Sequence, residues 1–174
     1  MGNDIFRKEK LIRRLRYLWT WELFDSFFLP AVAILSAKAF QWSMSLLTIY
    51  SAGLVTWILW QGTAYWLLKL RTVQTDSRIA RESLRWFAVL KKVNWVLIGM
   101  LPILLGIQDL AGGSFNVSLD FIVGLAFYTL AVLEQINYYH YQLMYDYPPD
   151  WRYLVACKKL KRSSLSRALE KLKG

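Results

Sequence analysis

Apolar residues gather into four blocks along this chain, at about 23–40, 43–68, 86–107 and 117–139. Each is close to the ~20 residues that a helix needs to cross a hydrocarbon core. The first block is the most interrupted, carrying Asp25 and Pro30 and reaching Lys38. Proline there predicts a kink, with neighbouring helices supplying donors to the freed carbonyl. Ala33 and Ala37 form a small-xxx-small pair that permits close helix contact. The second block is the cleanest. Trp57, Trp60, Gln61, Tyr65 and Trp66 crowd its C-terminal half before Lys69 and Arg71 stop it. The third passes through Lys91 and Lys92 and contains Asn94 and Pro102. A turn at Gly112 and Gly113 precedes the fourth. Its helix is expected to run on to Tyr145, where Pro148 and Pro149 end it.

Between and beyond the blocks the pattern changes. In residues 1–21, Leu11, Ile12, Leu15, Leu18 and Trp19 recur at helical spacing among Arg13, Arg14 and Arg16. Residues 146–174 are again basic and amphipathic. Both termini therefore read as basic amphipathic helices on a membrane surface. Residues 69–92 read as a basic loop, in which Asp76 or Ser77 could cap a short helix. The fold class that follows is an all-α integral membrane protein: a four-transmembrane-helix bundle over 22–145, flanked by these two terminal segments.

Composition agrees with the block pattern. The 174 residues are 56% hydrophobic and 16% aromatic, with nine tryptophans, against roughly 45–50% apolar in a soluble domain. Trp and Tyr collect at membrane interfaces, the ordinary account of the aromatic crowd at 138–153. One cysteine, Cys157, allows no intramolecular disulfide and no cysteine zinc site. Net charge is +10, and all 22 Lys and Arg residues but Lys38 fall in 1–21, 69–92 and 146–174. Four spans bring all three segments to one side, and the positive-inside rule makes that side the cytoplasm, with both termini. Bases interleaved with Leu, Trp and Tyr beside a span point to anionic lipid headgroups rather than nucleic acid.

Polar residues within the spans cluster towards that side. They are Glu22 and Asp25; Gln61 and Tyr65; Lys91 and Asn94; and Glu134, Asn137, Tyr138 and Tyr141. An ionisable group at membrane depth costs ~2.5–3.5 kcal/mol on insertion scales and so faces the bundle interior with a partner. Asp25 and Glu134 qualify, with Lys91 the nearest basic group by depth. At 100° per residue, Phe127, Glu134, Tyr138, Tyr141 and Tyr145 lie within about 40° of one line, whereas His140 falls roughly 120° away. Two readings follow. One is a polar cavity with Asp25 and Glu134 as anions and Tyr138, Tyr141, Gln61 and Asn94 as hydrogen-bond partners. The other, preferred, is a buried polar cluster that fixes helix packing.

His140 is the only histidine. As an axial ligand to haem iron or chlorophyll magnesium it would stand alone, and Glu134 is followed at i+3 by Asn137 rather than the His of a di-iron site. A place in the interfacial girdle suits it better, and no metal or other cofactor is predicted. The chain has no Walker loop, Gly-rich dinucleotide motif, HExxH or GxSxG, so no catalytic residues are assigned. The expected function is a non-enzymatic accessory, assembly or scaffold subunit that binds membrane-protein partners, copies of itself or lipids. Two alternatives are an oligomeric small transporter or channel subunit using Asp25 and Glu134, and a membrane enzyme or binder of a lipid-like or tetrapyrrole ligand.

Overall fold

The computed structural model describes residues 2–110, 118–145 and 148–172, so the expected turn at Gly112 and Gly113 lies outside the described residues. The described chain is all helical: α1 (Gly2–Ala39), α2 (Leu46–Gln74), α3 (Arg81–Leu110), α4 (Leu119–Tyr139), α5 (Pro148–Cys157) and α6 (Ser164–Glu170). Among the described residues the chain forms no strand, and Tyr141 and Arg162 make an isolated antiparallel bridge.

Three stretches are long and apolar enough to cross a membrane: Ile5–Ala39, Arg81–Ile107 and Leu119–Tyr139. They suggest a multi-pass membrane protein. Their outer faces carry bare large hydrophobics, among them Phe27, Ile103 and Leu125. The second block, read from sequence as the cleanest span, is not among the three. Its helix, α2, packs most extensively against α1 and α4, and buries Thr48, Ser51, Gln61 and Thr63. Polar side chains on a face that meets other helices lower the mean hydropathy without exposing them to lipid.

Two prolines leave carbonyls without their helical donors, and neighbouring helices respond. Pro102 orphans the Ile98 carbonyl, which accepts from the Tyr128 hydroxyl at 2.9 Å; the adjacent Leu97 carbonyl accepts from Tyr50 at 2.8 Å. Pro30 orphans the Ser26 carbonyl, which Thr56 Oγ1 reaches at 3.5 Å while donating mainly to Ala52 at 2.8 Å. Asp120, in the first turn of α4, ties the two helices at the opposite end of the bundle. Its carboxylate accepts from the Ser45 N–H at 3.0 Å and its carbonyl from Thr48 Oγ1 at 2.9 Å. Close approach of α2 and α4 requires Gly124, where a Cβ would come within 2.6 Å of Leu47 Cγ.

Several expected boundaries move. The amphipathic N-terminal segment and the first span are one uninterrupted helix of 38 residues, about 57 Å long at 1.5 Å per residue. The basic loop expected over 69–92 shrinks to residues 75–80, because α2 continues to Gln74 and α3 begins at Arg81. Helix α4 stops at Tyr139, not Tyr145. Its terminal carbonyls find partners outside the helix: Lys91 Nζ donates to the Tyr139 carbonyl at 3.2 Å, and the Ser163 hydroxyl donates to that of Tyr138. The chain then runs extended beside the segment before α6, with Gln142 N–H donating to the Lys161 carbonyl at 2.8 Å and Ser163 N–H to His140 at 3.1 Å. Pro148 and Pro149 open α5, where a missing N–H costs nothing, rather than closing α4. The last helix is docked: Ser163 caps α6, and Leu165 and Leu169 join the core beside Tyr65 and Phe87.

Candidate functional site

Polar residues expected to form one cluster separate into two environments, on two faces of α4. On the first face the amides of Gln61 and Asn94 pair reciprocally, at 3.0 and 2.9 Å. Asn94 also donates to Gln135 Oε1 at 2.8 Å and accepts from Trp57 Nε1 at 3.1 Å. Tyr139 donates to Gln61 Oε1 at 2.6 Å, and Gln135 donates to the Lys91 carbonyl at 3.1 Å. Asn94, Gln135 and Tyr139 are 0% exposed. Each buried donor here has an acceptor, as a packing network requires.

The second face looks into a cavity of about 380 Å³ between α1 and α4. Asp25 and Glu134 both line it, with Asn137 and Tyr138, and Glu22 adds a third carboxylate. Asn137 donates to Glu134 Oε2 at 3.2 Å. Trp66 donates to Glu22 Oε1 at 2.7 Å, and Oε2 is buried beside the Tyr138 hydroxyl. Gly62 makes room for this meeting: a Cβ there would overlap Tyr138 Cζ and crowd Glu22 Oε2. Gln61, Asn94, Lys91 and Tyr141 do not line this cavity. Lys91 serves the end of α4 instead. Tyr141 lies beyond the helix and is 43% exposed, so the tyrosine stripe expected through Tyr141 and Tyr145 is not formed. Tyr145 accepts the Lys161 N–H at 2.8 Å.

Glu22, Asn137 and Tyr138 are also one wall of a second, smaller cavity, of about 160 Å³. Four cations also line it: Arg14 from α1, Lys69 from α2, and Lys161 and Arg167 from the C-terminal segment. Asp150 takes Arg14 at 2.8 Å, Lys161 at 2.9 Å and Gln142 at 3.0 Å. Burial alone would raise the Asp150 carboxyl, but these three donors prevail and hold it at about 2. Lys69, the first residue past the second expected span, sits over the Trp66 and Tyr65 rings, 5.3 and 5.8 Å from their centroids, and donates to the Ser164 hydroxyl. Burial, followed by the charges of Arg167, Arg14 and Lys161, pushes its ammonium down to about 8. Tyr65, expected in the polar cluster, borders this pocket and shares a 2.8 Å hydrogen bond with Ser164.

His140 turns to Trp95, whose indole N–H it accepts at Nε2, 3.3 Å away. Burial and the nearby Lys91 lower its pKa, favouring the neutral ring. No group of three or more His, Cys, Asp or Glu suited to a metal occurs among the described residues. Gln135, Tyr139 and Lys69 were not among the site residues expected from sequence, and the C-terminal cations were read there only as part of a membrane-surface segment. Phe127, Ala131, Gln135 and Tyr139 recur at i+4, a signal that would have found the buried face of α4. No family model, no characterised protein and no solved structure matches this chain.

Proposed function

We propose that this chain is a four-span membrane protein with both termini on the cytoplasmic side, and that it serves as a non-enzymatic accessory or scaffold subunit binding anionic lipid and a membrane-protein partner. Counting α2 as a span rests on its length of 29 residues and its central position between α1 and α4. Cytoplasmic termini accord with the meeting of the three basic segments: Lys8 pairs with Asp76 at 2.7 Å, Arg14 with Asp150 at 2.8 Å, and Lys69 with Ser164. A membrane-impermeant thiol reagent tests the sidedness, because Cys157 is exposed and unique. Cys157 should react in inverted vesicles and stay protected in right-side-out ones; the reverse pattern contradicts the reading.

The observation that carries the scaffold reading is an aromatic ladder on the outer face of α1. Tyr17, Trp21, Phe24 and Phe28 follow one another with centroids 5.9, 5.8 and 5.2 Å apart. All four rings are exposed. Rigid aromatic surfaces of this kind anchor protein contacts at low entropic cost. A photo-crosslinking residue at Phe28, activated in native membranes, should give a discrete protein adduct. Lipid adducts alone would sink the partner half of the proposal. Three carboxylates on one cavity favour the transporter alternative; for that reading, Glu134→Gln abolishes flux in reconstituted vesicles, and unchanged flux removes it.

A further inference from the structure

We propose that the pocket between Arg14, Lys69 and Arg167 binds one phosphate group, that of an anionic lipid headgroup. The lipid source rests on the membrane reading above; the phosphate site itself does not. Four cations and two carboxylates border the pocket. Asp150 is already shared between Arg14 and Lys161, and Glu22 accepts from the Trp66 indole. Among the described residues Lys69 has no carboxylate partner. Its hydrogen bond goes to a neutral hydroxyl, and the charges that act on it most are those of Arg167, Arg14 and Lys161. Keeping an ammonium there, between two rings and against like charges, is unfavourable unless an anion arrives to compensate.

Size and shape narrow the class of anion. At about 160 Å³ the pocket is well below the roughly 300–1,000 Å³ of sites for drug-sized ligands, which excludes a nucleotide but admits a phosphate. An ammonium and two guanidiniums suit its oxygens, with the Ser164 hydroxyl as a further donor. Leu11, Leu15 and Leu18 on α1, with Leu165 on α6, continue the pocket as an apolar wall along which the first carbons of an attached lipid can lie. Because the cations come from α1, α2 and the C-terminal segment, an occupant joins three parts of the chain. It therefore holds the docked α6 in place.

Native mass spectrometry of the full chain released from phosphatidylcholine nanodiscs doped with phosphatidate provides the test. The wild type should retain one phosphatidate. Lys69→Met with Arg167→Gln should lower that retention at least tenfold, and Lys158→Gln with Lys159→Gln, outside the pocket, should leave it unchanged. A second arm adds inorganic phosphate to detergent-purified protein and reads Tm. No phosphate effect together with Lys69-dependent phosphatidate retention supports the lipid headgroup. A Lys69-dependent rise in Tm with phosphate, and no phosphatidate retained, overturns the lipid source but keeps a phosphate site. Retention equal in the wild type and the Lys69 double variant, at unchanged helical content and Tm, overturns the site. Neither the Cys157 labelling nor the Phe28 adduct depends on Lys69, so those readings stand or fall separately.

Discussion

Glu134 and Tyr138 face a cavity, while the residues next to them in sequence, Gln135 and Tyr139, face a closed network of amides. The two faces belong to the same helix and the same depth, yet they are built on opposite terms. In the amide network Gln61, Asn94, Gln135 and Tyr139 satisfy one another, leaving no room for anything else. Around the cavities, Glu22 is a buried carboxylate met by the neutral donor Trp66, and Lys69 keeps an uncompensated charge. A saturated buried network specifies how helices pack; an unsaturated one spends stability and leaves vacant hydrogen-bonding and charge for a ligand. The contrast is the reason for proposing scaffolding on the first face and binding on the second.

The largest effect should come from breaking the saturated face. Asn94→Leu, at a fully buried position, orphans the Trp57 indole N–H and Gln135 Oε1 and strips Gln61 of its amide pair. At ~1–3 kcal/mol for each orphaned group, a loss of about 3 kcal/mol or more is expected in thermal unfolding in detergent. A loss below about 1 kcal/mol would mean that water replaces Asn94 and that the network is not what fixes α2, α3 and α4.

Next comes the partition between the faces. Gly62→Ala drives a methyl into Tyr138 and Glu22, and overpacking of this kind costs ~1–3 kcal/mol. The same variant should also shift the Tyr138 ring, visible as altered tyrosine fluorescence. Asp150→Asn removes charged hydrogen bonds from Arg14 and Lys161 and should cost ~1–3 kcal/mol, loosening the junction of α5 with α1. The sign with pH follows from a carboxyl lowered from 3.8 to about 2. Its stabilisation is present above pH 3.8 and is lost as pH falls towards about 2. In the Asp150→Asn variant that part of the acid transition should disappear. The smallest effect belongs to Glu134→Gln. Since this side chain borders an open cavity, its change in stability should stay within ~0.5 kcal/mol; a large loss would move Glu134 to the scaffolding face.

How much of this was written visibly in the chain varies with the kind of interaction. Helices at membrane length were legible because runs such as Leu119–Tyr139 are predominantly apolar. Gln61 and Asn94 stood out as polar residues inside apolar blocks. The end of α4 was not legible, since Lys91 and Ser163 reach it from 48 and 25 residues away. Extending that helix to Tyr145 carried the inferred inward stripe on to Tyr141, which is exposed. The basic pocket was hidden for a similar reason. Lys69 reads locally as the stop of a span, and only the return of the C-terminal segment through Leu165 and Leu169 sets it beside Arg167.

The most direct measurement compares Tm for Lys69→Met and Asn94→Leu in the same ligand-free detergent. Methionine keeps the apolar stem of Lys69 between Tyr65 and Trp66 while removing a charge that its neighbours repel. The expected result is an unchanged or raised Tm for Lys69→Met beside a large drop for Asn94→Leu. Comparable drops in both would contradict the division, making Lys69 part of the scaffold instead of a site held ready for an anion.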